Sequence, residues 1–271
     1  MYKRYPAVSG AFYPKSQREL QRMIESFVIP VAAVEKAIGL IAPHAGYIYS
    51  GRTAGAVYSQ VEIPQVALIL APNHTGRGRT FGGAGIVSRG TFMTPMGEVE
   101  IEEMIAEGCK SKCELIGEDR EAHEYEHSLE VQLPFLQVLR QDIKIVPLVT
   151  SYDEFDIART IGEALAGVIK ESGEEVLIIA SSDMTHYQPR NVARKLDGIA
   201  IKRVEDLDPE GLLNVTREEG ITMCGKAPVA TMLVAAKMLG ATVANLVDYS
   251  DSADVSGDTS YVVGYAGILI K

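Results

Sequence analysis

The chain of 271 residues is 46% hydrophobic and 23% charged, an ordinary globular composition with ample material for a core. Its formal net charge of -10 argues against a nucleic-acid backbone or an anionic membrane surface as the main partner, and leaves small anionic substrates open. The opening MYKRYPAVSGAFYP lacks the apolar stretch of a signal peptide, and three cysteines form no disulfide framework, so the expectation is a reducing, cytoplasmic setting.

Strand-like and helical runs alternate along the whole length. SQRELQRMIESFV predicts a helix with Ser16 as its N-cap. AIGLIA predicts a buried strand that runs into a loop carrying His44, followed by a helix through TAGAVYSQV. VALILA predicts the next strand, ending at His74 and a glycine-rich loop, TGRGRTFGGAG, which reads as a flexible lid. GAGIVSRGTFMTPMGEV reads as a hairpin turning at TPMGE. EIEEMIAEGC and HSLEVQLPFLQVLR predict helices, and IKIVPLV a strand. FDIARTIGEALAGVIKES is an amphipathic helix leading into the strand VLIIASS, whose far end carries Asp183 and His186. Two helices, LDGIAIKRVED and PEGLLNVTREEG, precede Cys224. The region PVATMLVAAKMLGATVANLV is broken by Lys237, Gly240 and Asn245, so it predicts a buried helix and a strand and no membrane span. The acidic DYSDSADVSGD lacks calcium-loop spacing and reads as a solvated loop before the last strand, TSYVVGYAGILI. This alternation predicts one domain over residues 1–271, a three-layer α/β/α sandwich around a mixed, largely parallel sheet.

In such a sheet ligands bind outside the carboxyl ends of the strands, where His44, His74 and His186 all fall. One histidine after a strand is usually a hydrogen-bonded loop residue, but three such positions can converge as a metal site or an acid/base centre. Cys224 precedes a helix whose start would favour its thiolate; a small buried hydrophobe is the plain alternative. Cys109 and Cys113 lack a second pair at zinc-finger spacing. His123 and His127 share a face if AHEYEHSLE is helical throughout; His123 reads as a solvated helix start and His127 as a pocket residue. Asp183 is placed to orient His186, to act as a base, or merely to cap a turn.

The ordered segments SGAFYP, APHAGYIYSG, PNHTG, EHSLEVQLPFLQ, SSDMTHY, MCGKAPV and SYVVGYAGILI resemble the Memo family, whose prokaryotic members are called AmmeMemoRadiSam system protein B. The resemblance spans essentially the whole chain and implies a fold similar to the class III extradiol ring-opening dioxygenases. It implies His44, His74 and Cys224 as metal ligands, iron(II) first with copper or zinc as alternatives, and Cys224 standing where the dioxygenases use a carboxylate. His186 matches the dioxygenase acid/base histidine, Asp183 a neighbouring pocket residue, and His127 a further one. The family can lodge a peptide aromatic group in this pocket, which makes Tyr47 and Tyr49 candidate lining residues. A thiolate in the carboxylate position alters the softness and redox behaviour of the site, so ring cleavage does not follow from the fold. The MCGKAP stretch carries Ala227 after Lys226, where some relatives have a histidine. The expected function is metal-dependent redox or oxygen-linked chemistry on a small-molecule or peptide ligand, with a radical-SAM protein as partner. The alternative is a non-enzymatic module that captures an aromatic group in the same pocket, and metal-assisted hydrolysis is a third reading.

Overall fold

The computed structural model describes residues 2–31, 33–80 and 82–271. From the N-terminus the chain forms a short edge strand β1 (Lys3–Arg4), helix α1 (Gln17–Phe27), strand β2 (Gly39–Ala42), helix α2 (Tyr47–Tyr58) and strand β3 (Val66–Pro72). A strand-rich middle follows: β4 (Ala84–Ile86), β5 (Thr91–Thr94), β6 (Gly97–Ile101), α3 (Glu103–Lys112) and β7 (Ile116–Glu118). Three short helices, α4 (Arg120–Glu124), α5 (His127–Glu130) and α6 (Leu133–Leu139), lead to β8 (Lys144–Thr150), α7 (Phe155–Ser172) and β9 (Val176–Ser181). The last third comprises β10 (His186–Gln188), α8 (Arg190–Glu205), α9 (Pro209–Glu218), α10 (Lys226–Met238), β11 (Ala244–Asp251), α11 (Ala253–Ser256) and β12 (Val262–Ile270).

The runs VALILAP and VLIIAS are buried at every residue, as parallel strands covered on both faces must be. The parallel core of the sheet runs β8–β3–β9–β2, and β12 joins it antiparallel to β2, with β11 antiparallel beyond. Helices α7, α9 and α10 pack together, with α10 on β2, β3 and β9, while α1 and α2 form a second helical layer with α2 on β2, β11 and β12. The mixed three-layer architecture is therefore the one predicted. Fully burying each Leu or Ile of these strands contributes ~1.5–3 kcal/mol, so the strand ends that carry the histidines rest on a rigid core. No helix among the described residues is long and apolar enough to cross a membrane.

Local chemistry explains where the elements differ from expectation. Ser16 caps α1 as predicted, accepting from the Glu19 amide at 3.5 Å. The hairpin turning at Pro95–Met96 is β5–β6 alone; β4 pairs instead with β7 and β8. HSLEVQLPFLQVLR does not form one helix, because it breaks at Val131–Gln132 and Pro134 sits in the first turn of α6, where its missing amide costs nothing. Nor is the stretch from His123 to His127 continuous helix: α4 ends before Tyr125 and α5 begins anew at His127. His123 is buried at 1% exposure, with Nε2 at 2.9 Å from the Gly85 carbonyl, and is not solvated.

The glycine-rich loop is pinned, in contrast to a free lid. Asn73 Oδ1 accepts from Thr75 Oγ1 and the Gly76 amide, and one Asp119 oxygen takes the Arg79 and Thr80 amides and the Thr80 hydroxyl. Phe81 in this loop lies outside the described residues. The acidic segment is also structured. Asp251, fully buried at the end of β11, accepts from Arg190 Nε at 2.8 Å and Arg194 Nε at 3.1 Å, which neutralise it.

Candidate metal centre

Strand order places the candidate residues side by side. Since β9 lies between β3 and β2, His74 (two residues beyond β3) and His44 (two beyond β2) flank Ser181 and Asp183 at the end of β9. His127 enters from the start of α5. One ligand atom from each of His44, His74 and His127 lies within 4.8 Å of the others. The rings of His44 and His74 meet edge to face at 5.1 Å between centroids, and those of His74 and His127 stack at 4.7 Å. Cys224 approaches from the loop before α10, its Sγ 3.2 Å from His44 Nε2.

Hydrogen-bond satisfaction fixes which nitrogens are free. Ser181 Oγ donates its single proton to the Ser128 carbonyl at 2.7 Å and accepts from Gln132 Nε2 at 2.8 Å. The remaining contact, 2.9 Å to His44 Nδ1, therefore has Nδ1–H as donor, which leaves the Nε2 lone pair toward Cys224. Glu126 works likewise for His74. Its carboxylate accepts from the His74 amide at 2.6 Å and from Nδ1–H at 2.9 Å, so the neutral tautomer of His74 carries its lone pair on Nε2. Burial alone would raise the Glu126 carboxyl, but the hydrogen bond from His74 and two from Ser128 hold it at about 2. His127 Nδ1 stands 3.4 Å from the same Glu126 oxygen.

Electrostatics favour the neutral forms of His44 and His127. Burial, and then the neighbouring His74, His127 and His186, hold His44 well below the ordinary histidine range, and burial lowers His127 too. Neutral imidazoles with oriented Nδ1–H groups are the form that ligates a metal, and their hydrogen-bond partners set the ring angles. Burial pushes the Cys224 thiol up, and the Asp183 carboxylate adds to it. Because α10 starts only at Lys226, the helix start does not by itself yield the expected thiolate. Gly225 is required beside it: a Cβ there would fall 2.4 Å from the Ser181 carbonyl oxygen and from Ser182 Cβ.

Asp183 is buried and serves His44, not His186: its Oδ1 accepts from the His44 amide at 2.7 Å, and its own amide points at Cys224 Sγ at 3.3 Å. Burial lifts its carboxyl to about 6, against the hydrogen bonds from the His44 and Ala45 amides. His186 is instead anchored by Thr222, whose carbonyl lies 3.0 Å from Nδ1, so its Nε2 is left as proton acceptor. It lies outside the three-histidine group, half-buried at the start of β10. Tyr47 is in the core, packed against Tyr13 and Phe135 with its hydroxyl donated to the Val131 carbonyl at 2.6 Å. Tyr49 is 37% exposed. A cleft of ≈ 450 Å³ opens beside Cys224, bordered by Asn73, Ser151, Tyr152, Asp153 and Ala227.

The sequence reading missed four contributors. Glu126, Ser181 and Gln132 orient the histidines, and the Phe12 ring packs at 4.9 Å on His127. Only Glu126 carried a signal, an acid directly before a pocket histidine.

Comparison with known proteins agrees with this arrangement of motifs. The profile of the family described as Memo-like protein matches residues 4–269. A MEMO1 family protein of Aquifex aeolicus is 44% identical, covering 99% of both chains, and one of Methanosarcina barkeri is 40% identical over 99% of this chain and all of its own. Among solved structures, an uncharacterised protein of Escherichia coli K12 is similar in fold, with a TM-score of 0.57 at 15% identity, covering 87% of this chain and 100% of its own. A match over nearly the whole length, with relatives covered end to end, makes this chain a member of the Memo family.

Proposed function

We propose that the protein holds a metal ion at His44 and His74, with Cys224 as third ligand and His127 beside them, and uses it for redox or oxygen-linked chemistry on a small molecule or peptide. The observation that carries this is that Ser181 and Glu126 hold Nδ1 of His44 and of His74, whose ligand atoms cluster with that of His127 within 4.8 Å, while Cys224 Sγ lies 3.2 Å from His44 Nε2. The resemblance to the ring-opening dioxygenases puts iron(II) first, and imidazole and thiol donors also suit copper or zinc. When bound, the metal supplies Lewis acidity and access to electron transfer. The protein's own residues do the rest. Asp183 and Ser181 hold the loop and ring of His44, the cleft beside Cys224 admits the ligand, and His186 Nε2 is free to take a proton. The cytoplasmic setting and the radical-SAM partner belong to the same reading.

Titrating iron(II) into metal-free protein under anaerobic conditions tests the ligand set. Loss of binding in Cys224→Ala with only weakened binding in His127→Ala supports the two-His, one-Cys site. The reverse pattern supports a three-histidine site. Oxygen consumption with a panel of catechols then tests turnover, and silence with metal bound removes ring opening.

One observation favours a second reading, a non-enzymatic pocket for an aromatic group. The Cys224 thiol and His44 Nε2 already satisfy each other at 3.2 Å, so this pair needs no further ligand. Aromatic-peptide binding that is unchanged by chelators would favour it.

A further inference from the structure

His44 and His74 are each turned by a hydrogen bond on Nδ1, whereas His127 has only a 3.4 Å approach to a carboxylate oxygen that already serves His74 and Ser128. Its ring angle must come from packing and from the backbone that carries it. Helices of five and four residues, α4 and α5, are too short to hold that backbone by themselves. Both supports come from the N-terminal segment.

Arg4 stitches the two helices across their break. Its Nε donates to the His123 carbonyl at 3.1 Å, Nη2 donates to the Glu126 carbonyl at 2.6 Å, and Nη1 pairs with Glu130. Both side chains of that pair are essentially fully buried. Glu130 in turn gathers the segment onto α5, accepting the Ala7 amide at 2.7 Å, the Val8 amide at 3.1 Å and the Tyr13 hydroxyl at 2.5 Å. A buried carboxylate with four donors is fully satisfied and therefore geometrically demanding. The segment so anchored delivers Phe12 to His127, with ring centroids 4.9 Å apart, and the Phe12 carbonyl accepts from the Tyr47 amide at 2.8 Å, three residues beyond His44.

We propose that residues 4–13 form a strap that sets the His127 imidazole within the metal centre, with Arg4, Glu130 and Phe12 as positioning residues. The inference rests on the metal-site reading above and adds the element that makes the third histidine part of it. Loosening the strap frees His127 to rotate while His44 and His74 keep their hydrogen-bonded angles.

The test is titration of cobalt(II) into metal-free protein, read by visible absorption, for wild type, Phe12→Leu, Arg4→Met, His127→Ala and the double variant Phe12→Leu/His127→Ala. Phe12→Leu is expected to weaken cobalt binding about ten- to a hundred-fold, as loss of an orienting partner does, and to shift the absorption bands toward those of His127→Ala. In the double variant, Phe12→Leu should add nothing further, because it acts through His127. Arg4→Met should behave like Phe12→Leu; if it does not fold, the Phe12 pair decides alone. Wild-type affinity and bands in Phe12→Leu, or an additive loss in the double variant, overturn the strap while leaving the metal site standing. A wild-type protein that takes up no cobalt removes both.

Discussion

Ser181→Ala removes a single oxygen, yet three groups lose a hydrogen bond and two of them are left unpaired. Ser181 is fully buried, so water cannot replace the hydroxyl. Gln132 Nε2 keeps a bond to the Pro43 carbonyl at 3.1 Å, but the Ser128 carbonyl loses the hydroxyl as donor and His44 Nδ1–H is left without an acceptor. Leaving a buried polar group unpaired costs ~1–3 kcal/mol, so two such groups predict a loss of roughly 2–6 kcal/mol in urea unfolding. The His44 proton is also released to move to Nε2, the nitrogen required as ligand, and metal affinity should fall by about 10–100-fold. Nitrogen NMR of the imidazoles reads the tautomer directly. Wild-type stability together with wild-type metal affinity in Ser181→Ala would refute the assignment of Nδ1 as donor and the role given to Ser181.

Other consequences follow from the same contacts. Glu126→Gln replaces an acceptor-only carboxylate with an amide whose NH2 faces donors, so metal binding should weaken by about 10–100-fold in a competition titration. Gly225→Ala forces a Cβ to 2.4 Å from the Ser181 carbonyl oxygen, and overpacking of this kind costs ~1–3 kcal/mol; calorimetry should show a lowered Tm. Burial depresses His123 to about 4, so the fold prefers its neutral form. Its contribution is complete above pH 6.5 and is lost as pH falls toward 4, by about 3 kcal/mol in total. Tm should therefore drop over that window, and His123→Gln should flatten the drop. Because the Cys224 thiol is pushed up, metal uptake through it must release a proton, and apparent affinity should rise with pH.

The sheet was legible because VALILAP and VLIIAS carry unbroken apolar runs, which only a strand covered on both faces tolerates. The positions of His44 and His74 followed from the strands AIGLIA and VALILA and from the rule that sites lie beyond strand ends. What orients them was not legible. Ser181 reads as one more strand residue, and its value arises only where β9 passes between β2 and β3. The N-terminal contacts are further out of reach: Arg4 and Glu130 are separated by 126 positions, and no local periodicity reports such a pair. His123 departs from a solvated helix start because the chain turns at Tyr125–Glu126, so it does not share a helix face with His127. The burial of Asp251 has no local signal because its neutralising arginines, Arg190 and Arg194, lie some sixty residues away.

The central claim is that two imidazoles of defined tautomer hold a metal ion at the ends of β2 and β3. Metal content of the protein purified anaerobically, by plasma mass spectrometry, tests it most directly. Near-stoichiometric iron, copper or zinc in the wild type, absent from both His44→Ala and His74→Ala while each variant remains folded, is the predicted result. A metal-free wild type that gains none when iron(II), copper or zinc is supplied would contradict it.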